Sequence, residues 1–106
     1  MIERHWKGIA RHEAADAYIR HLLEDTFPTL KGIQGFVNAR ILKRVVDTGT
    51  EFLILTVWES YESIKQFAGS QVDVAVVPAL VQEMMAEFDR HVSHYDVVID
   101  RYESKS

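Results

Sequence analysis

The sequence predicts an α+β protein of the ferredoxin-like type, with elements in the order strand, helix, strand, strand, helix, strand around one antiparallel sheet. Three observations predict this fold: a helical apolar period over residues 13–27, a turn signal at residues 47–50, and a run that is apolar on both faces at residues 52–58. A chain of 106 residues is long enough for one domain with its own core. We therefore expect a single domain over residues 1–102 and a loose tail over residues 103–106.

The first two predicted elements are a strand at residues 2–10 and a helix at residues 13–27. The strand has no helical period and holds separated apolar residues in a polar stretch: Ile2, Trp6 and Ile9. In the helix, apolar residues recur at spacings of three and four, and acidic residues lie in the first turn. Because a residue before proline avoids the helical region, we expect this helix to end at Phe27, before Pro28.

A hairpin is predicted next, with its turn at residues 47–50. Gly49 can take the positive φ that such a short loop demands. In the first strand of the hairpin, residues 36–46, the apolar positions change face after Ile41, which indicates a bulge or a bend there.

The second strand of the hairpin leaves neither face polar. From Phe52 to Trp58 every residue except Thr56 is apolar, whereas a strand with one wet face alternates apolar and polar residues. The few helices of so short a chain can cover one face only, so the other face is expected to meet a second copy. The sequence thus predicts a homodimer joined through its sheet faces.

The remaining elements are a pair of helices and a last strand. Ser60 can cap a short helix that ends at Gly69, a residue suited to the left-handed position after a helix. A second capping pattern follows at once and predicts another helix, broken or kinked at Pro78 and continuing over residues 79–88. The last strand is predicted at residues 91–102, next to the first strand.

Composition excludes several classes of protein. The chain has no cysteine, which excludes disulfides, thiolate metal sites and a cysteine nucleophile. Its 12 basic and 16 acidic residues give a net charge of -4, and the basic residues are scattered, so nucleic acid is not an expected partner. Neither a signal peptide pattern nor an apolar run of about 18 residues is present, so we expect a cytoplasmic protein without a membrane partner.

Three segments resemble the antibiotic biosynthesis monooxygenase (ABM) family of dimeric α/β barrels. They are ILTVWES at 54–60, YESIKQFAG at 61–69 and VSHYDVV at 92–98. The resemblance extends over about residues 2–100. It implies an ABM-like domain that forms a homodimer, in which two sheets face each other and each subunit has a pocket between sheet and helices.

The activity implied by the resemblance depends on which members are compared. Members that degrade haem resemble one another in an asparagine on the first strand and in a tryptophan and a histidine on the helical segment before the last strand. Here residues 1–12 contain no asparagine, and residues 60–88 contain neither tryptophan nor histidine. Other members oxidise aromatic polyketides without metal or flavin, because a deprotonated phenol or anthrone can pass an electron to oxygen itself. The resemblance therefore favours a cofactor-independent monooxygenase of a small aromatic phenol, anthrone or quinol, with no bound cofactor.

Three polar residues are candidates for catalysis: His94, Tyr95 and Asn38. Imidazole titrates near neutral pH, so His94 is the best single candidate for the base that takes the substrate proton. His94 and Tyr95 face opposite sides of the last strand, and the sequence does not decide which of them faces the pocket. Asn38 is the only asparagine in the chain and could donate to a substrate oxygen. For all three, a structural or exposed role is the alternative.

The candidate pocket residues are large and apolar. Trp6 is either a pocket wall or a dimer contact, and Trp58 either stacks on an aromatic substrate or belongs to the core. A flexible apolar set surrounds the predicted break in the second helix, and it suits either a malleable pocket or a plain core: Phe67, Leu80, Met84, Met85 and Phe88.

A metal site is not expected. His91 and His94 are three residues apart, with His5 on a neighbouring strand, but residues three apart on a strand project to opposite faces. Two alternatives to the oxygenase remain at this point. One is a small-ligand-binding or structural dimer without chemistry, and the other is an isomerase or lyase of a small lactone, which related dimeric barrels support.

Overall fold

The computed structural model describes residues 1–104 and contains one antiparallel sheet of five strands. In chain order the strands β1 to β5 are Ile2–Ala10, Phe36–Val46, Gly49–Trp58, Met85–Phe88 and Ser93–Asp96. Across the sheet the order is β2, β3, β1 and then both β4 and β5, which pair with opposite ends of β1. The first strand therefore lies between the third strand and the last edge, as the ferredoxin-like prediction requires. Within the predicted tail, residues 105 and 106 lie outside the described residues.

The helical segments pack against one face of this sheet. They are a 3₁₀ turn at His12–Ala14, α1 at Ala15–His21, a π-helical segment at Leu22–Thr26, α2 at Phe27–Lys31, α3 at Tyr61–Ala68 and α4 at Ala79–Met84. No helix in residues 1–104 is both long enough and apolar enough to cross a membrane.

The core lies between the helices and the even-numbered positions of β1 and β3. One cluster joins Phe52 and Ile54 of β3 to Tyr18 and Leu22 of the first helical region. A second cluster packs around Trp58, which is 0% exposed. These residues share a face because side chains alternate along a strand. The same alternation directs other even-numbered side chains of β1 toward the helices.

The predicted end of the first helix at Phe27 is wrong. The chain stays helical to Lys31, and Pro28 lies in the first turn of α2. A proline ring clashes with the carbonyl four residues earlier in a regular α-helix. Here the preceding turn is π-helical and Phe27 N–H donates to the Leu22 carbonyl, five residues earlier. The wider turn makes room for the proline, so the helical path continues.

The hairpin has the predicted strands but a different turn and bulge. The register shift in β2 lies between Phe36 and Asn38, and not after Ile41. Gly49 does not take a positive φ. Glycine is required there for another reason, because a Cβ at this position would lie 1.9 Å from the Ala10 carbonyl oxygen. Glycine is therefore needed at position 49 because the backbones of β1 and β3 approach each other closely there.

The C-terminal part departs most from the prediction. The α3 helix has its predicted cap, with Ser63 N–H donating to Ser60 Oγ over 3.2 Å, and Gly69 follows it with a φ of 79°. The helix predicted immediately after Gly69 is wrong: residues 70–78 form no helix, and Pro78 caps α4 and does not break it.

The predictions of a helix over 79–88 and a strand over 91–102 are also wrong in extent. The helix ends at Met84, and residues 85–88 form β4 against β1. The last strand is limited to Ser93–Asp96. Pairing with β1 determines where both strands begin and end. The apolar pattern along the sequence does not show which segments pair.

The second apolar face of β3 is partly covered by the chain's own polar side chains. Leu55 and Val57 point to this face and are 4% and 7% exposed. Arg40 on β2 and Glu3 on β1 approach to 3.2 Å, so their ion pair crosses over β3 between them, and His5 lies 2.7 Å from Glu3. This apolar face does not by itself require a second copy, and the homodimer stays a prediction.

Candidate functional site

A cavity of about 290 Å³ lies between the sheet and the helices. Its floor is the helical face of β1 and β3, and its other walls come from the first helical region, from α3 and α4 and from the segment before α4. The wall is mostly apolar, as is usual in small-molecule sites. The residues that contribute are Arg4, Trp6, Tyr18, His21, Leu22, Asp25, Thr26, Phe27, Thr29, Leu30, Ile54, Thr56, Phe67, Val76, Val77, Pro78, Val81 and Val92.

Trp6 is held in the cavity floor by one hydrogen bond and by a glycine. Its Nε1–H donates to the Asp89 carbonyl over 2.8 Å. The ring covers Gly8, since a Cβ there would lie 2.5 Å from the Trp6 ring. A larger residue at position 8 would displace the indole. The sequence alternatives for Trp6 were a pocket wall and a dimer contact, and its ring lines the cavity.

Arg4 is the charged group of the floor. Its side chain is buried, 5% exposed, and its Nη1 donates to the Val72 carbonyl and to His94 Nε2, the latter over 3.0 Å. Its Nη2 donates to the Val74 carbonyl over 3.2 Å. Burial lowers the pKa of Arg4 to about 10. The guanidinium therefore remains a cation at neutral pH.

His94 lies behind Arg4 and does not line the cavity. Arginine can only donate, so Nε2 of His94 accepts and the proton of the neutral ring is on Nδ1. That atom lies 3.3 Å from Asp73 Oδ1. Burial and the nearby Arg4 cation lower the pKa of His94, and Asp73 opposes them. The imidazole is therefore neutral at pH 7, with its lone pair already engaged.

His21 and Asp25 form a second polar group in the cavity wall. Nδ1 of His21 is buried and lies 3.4 Å from Asp25 Oδ2, and within residues 1–104 it makes no hydrogen bond. The two side chains are four residues apart on the helix and both line the cavity. A π-helical segment begins directly after His21, and such segments are frequent at functional sites.

The sequence prediction missed Arg4, His21 and Asp25. For Arg4 a signal was present, because it shares the even-numbered face of the first strand with Trp6. For His21 and Asp25 the signal was their spacing of four beside the apolar stripe of the first helix. Neither signal can be used without knowing which face of β1 and which face of the first helix pack against each other.

Among the predicted pocket residues, Trp6 and Phe67 line the cavity. Trp58 is fully buried beneath it, where its ring stacks on Phe67 with centroids 6.2 Å apart. The others lie outside the cavity lining. Met85 is in the core, Met84 and Phe88 pack against the core, and Leu80 is 52% exposed.

Tyr95 and Asn38 lie on the opposite face of the sheet. They pair with Glu3 and Val57, which point away from the helices. Both border a shallow polar groove beside residues 96–101. The strands β3 and β1 lie between these two candidates, and neither candidate lines the cavity.

The three histidines weighed as a metal site, His5, His91 and His94, do not converge in the structure. His94 points to the helical face of the sheet, whereas His5 points to the other face, where its ring lies 4.9 Å from Tyr95. His91 forms an isolated bridge with Val74 at the edge. Within residues 1–104 no three His, Asp or Glu side chains are placed to hold a metal ion.

Comparison with known proteins identifies the relatives of this fold. The sequence model of the family described as antibiotic biosynthesis monooxygenase matches residues 9–95. No curated protein sequence matches the chain.

Three solved structures show the same fold at low sequence identity. A protein from Deinococcus radiodurans, provisionally assigned as an antibiotic biosynthesis monooxygenase, has a TM-score of 0.68 at 15% identity, over 99% of this chain and 100% of that chain. A Bacillus cereus protein with the same provisional assignment has a TM-score of 0.65 at 14% identity, over 99% and 98%. A haem-degrading protein from Mycobacterium tuberculosis has a TM-score of 0.58 at 17% identity, over 97% and 98%.

Proposed function

The chain belongs to the antibiotic biosynthesis monooxygenase family, and from this premise we propose that it is a cofactor-independent monooxygenase of a small aromatic substrate. The substrate would be a phenol, an anthrone or a quinol bound between the sheet and the helices. One observation carries the proposal: the apolar cavity is walled by the aromatic rings of Trp6, Tyr18, Phe27 and Phe67. Such rings bind flat aromatic molecules and exclude water.

The size of the cavity favours a small substrate. Its volume of about 290 Å³ is at the lower end of the roughly 300–1,000 Å³ found for small-molecule sites. The enclosed part of the site is therefore small for a macrocycle such as haem. The sequence also lacks the asparagine of the first strand and the tryptophan and histidine that haem-degrading members share.

The chemistry needs no group beyond the substrate, oxygen and a base. Loss of a proton from an anthrone gives an electron-rich anion, which transfers an electron to O₂. Oxidation of the ring CH₂ to a carbonyl by one O₂ releases one water, so the substrate supplies all the electrons. The protein has to bind the substrate, take its proton and keep the site dry.

We propose His21 as the proton acceptor. It lines the cavity, whereas His94, the candidate from the sequence, is separated from it by Arg4. Nδ1 of His21 lies 3.4 Å from the exposed Asp25 carboxylate, and a ring that carries its proton on Nδ1 would leave Nε2 free to take the substrate proton. His94 then acts as a positioning residue that holds Arg4. Tyr95 and Asn38 would have to act in the groove on the other face.

We also propose that the protein is a homodimer joined through its sheet faces. Leu42 and Leu53 are paired on the face opposite the helices, and Leu42 is 45% exposed. Contact of two such faces would form the dimeric α/β barrel implied by the family and would remove these side chains from water.

The test is oxygen uptake by the purified chain with anthrone and with simple quinols. The absorbance spectrum should first show no haem or flavin band, and elemental analysis should show no stoichiometric transition metal. Protein-dependent oxygen uptake that persists with a chelator would support the proposal. Tight binding without uptake across the panel would favour the non-catalytic binding protein, and conversion of a small lactone would favour an isomerase or lyase.

A further inference from the structure

Arg4 is a buried cation without a carboxylate partner in the described part of the chain. Its side chain is 5% exposed, and no carboxylate in residues 1–104 approaches it within the 4.0 Å of an ion pair. Its three hydrogen bonds go to two backbone carbonyls and to a neutral imidazole. Burial of an unpaired charge is unfavourable, so such a group calls for an explanation.

The nearest carboxylate does not neutralise this charge. Asp73 reaches Arg4 only through the imidazole of His94, since its Oδ1 lies 3.3 Å from Nδ1 of that ring. The Asp73 side chain is also 77% exposed, so water screens it. The contacts of Asp73 with His94 and of His94 with Arg4 therefore hold the guanidinium in position. Its positive charge remains available to a ligand.

The guanidinium has donors left for a ligand. Arginine carries five N–H donors, and within residues 1–104 three of them are used by Val72, Val74 and His94. The two that remain belong to a side chain that lines the cavity. Two N–H groups of one guanidinium match the two oxygens of a carboxylate or the lone pairs of one phenolate.

We infer that Arg4 is the anion-binding group of the cavity and that the ligand is an aromatic molecule carrying one anionic oxygen group, a carboxylate or a phenolate. The ring lies against Trp6 and Phe67, and the anionic group lies at Arg4. This inference rests on the proposed function only in placing the ligand in the same cavity. It adds the class of substrate: acidic aromatic molecules in preference to neutral ones.

A matched pair of ligands tests this inference by calorimetry. 2-Naphthoate and 2-naphthamide have the same ring and nearly the same size, but only the first is an anion. We expect the wild-type protein to bind 2-naphthoate at least about tenfold more tightly, because hydrogen bonds between ions exceed neutral ones. Equal affinities in the wild-type protein would overturn the inference without any variant.

Substitution then assigns the preference to Arg4. In Arg4→Met the ratio of the two affinities should fall to about one, and in Arg4→Lys part of it should remain. Arg40→Met is the matched control, since Arg40 is an arginine of the same sheet on the opposite face, and its ratio should not change. A preference that survives in folded Arg4→Met, or that disappears in Arg40→Met, would place the anion elsewhere.

One further measurement locates the ligand, and a second shows whether the protein binds phenolates as well as carboxylates. The indole N–H signal of Trp6, assigned with Trp6→Phe, should shift on addition of 2-naphthoate while that of Trp58 shifts less. Bound 2-naphthol should ionise at a lower pH than free 2-naphthol if phenolates are recognised, and only 2-naphthoate should show the preference if carboxylates alone are. Anion preference without oxygen uptake would contradict the proposed function alone, and uptake without anion preference would contradict this inference alone.

Discussion

Arg4 Nη1 and His94 Nε2 are 3.0 Å apart, and this one hydrogen bond decides what the histidine can do. Because arginine cannot accept, the basic lone pair of His94 is occupied. The residue that the sequence indicated as the base therefore contacts the cavity only through a cation. We expect it to position Arg4 and not to take the substrate proton.

The first prediction separates these two roles of His94. A base is lost in both His94→Gln and His94→Leu, so a catalytic role predicts a fall in turnover by a factor of about 10² or more in each. A positioning role predicts that glutamine, which can still accept from Arg4, keeps most of the activity and the preference for 2-naphthoate. Leucine should then lose that preference. Steady-state kinetics and calorimetry on both variants decide between the roles.

The second prediction concerns His21. His21→Gln should lower turnover by about 10² or more while ligand affinity changes little, because general base catalysis contributes about 10² to 10⁴. His12→Gln is the matched control, since His12 is exposed on the 3₁₀ turn before α1, lies outside the cavity lining and hydrogen-bonds to the Asp47 carbonyl. Undiminished turnover in folded His21→Gln would remove His21 from the mechanism.

The third prediction is a pH dependence of stability that depends on His94. Burial and the Arg4 cation lower its pKa in the folded state, so the unfolded state binds more protons as the pH falls through about 6.5. The folded protein should therefore lose stability between pH 7 and pH 5. The groups facing His94 are Arg4, Asp73 and the edge of Tyr61.

Melting temperatures at pH 7, 6 and 5 check this dependence. The decrease should be smaller in His94→Gln, which has no imidazole to protonate. The lowered pKa of Glu3, caused by its hydrogen bond to His5 and by Arg40, affects stability only at lower pH, because a carboxylate loses its contribution below its ordinary range. An unchanged pH profile in His94→Gln would contradict the assignment.

The fourth prediction is the homodimer. Light scattering should give twice the 12.2 kDa of the chain at micromolar concentration. Leu42→Glu should shift the protein toward the monomer, since Leu42 lies on the face opposite the helices. Val45→Glu should not, because Val45 is 77% exposed and pairs with Thr50 on the other face. A wild-type protein with the mass of a monomer would contradict this prediction.

The fifth prediction uses two glycines as a pair. Gly49→Ala should lower the free energy of unfolding by about 2 kcal/mol or more, because the new Cβ meets the Ala10 carbonyl oxygen at 1.9 Å. Gly32→Ala should change it little, since its nearest neighbour lies at 3.5 Å and its φ is -78°. Chemical denaturation of both variants measures the difference. Equal free energies of unfolding in the two variants would mean that β1 and β3 can move apart at Gly49 without loss of stability.

The sequence by itself determined the elements that depend on local chemistry. The separated apolar residues of β1, the doubly apolar run of β3, the Ser60 cap and the glycine after α3 are properties of a few neighbouring residues, and all have their predicted places. The same local information also supports the ferredoxin-like order, because short connections and right-handed crossovers leave few alternatives.

Only the tertiary structure decided the elements and groups that depend on distant partners. Residues 85–88 form a strand because they pair with β1 there, although their own apolar pattern is that of a helix. Helix propensity and β propensity are weak beside such pairing. Arg4 and His21 are far apart along the chain and meet in one cavity only because β1 lies under the first helical region. The sequence could show which residue types were present, but which of them share an enclosed space is a property of packing.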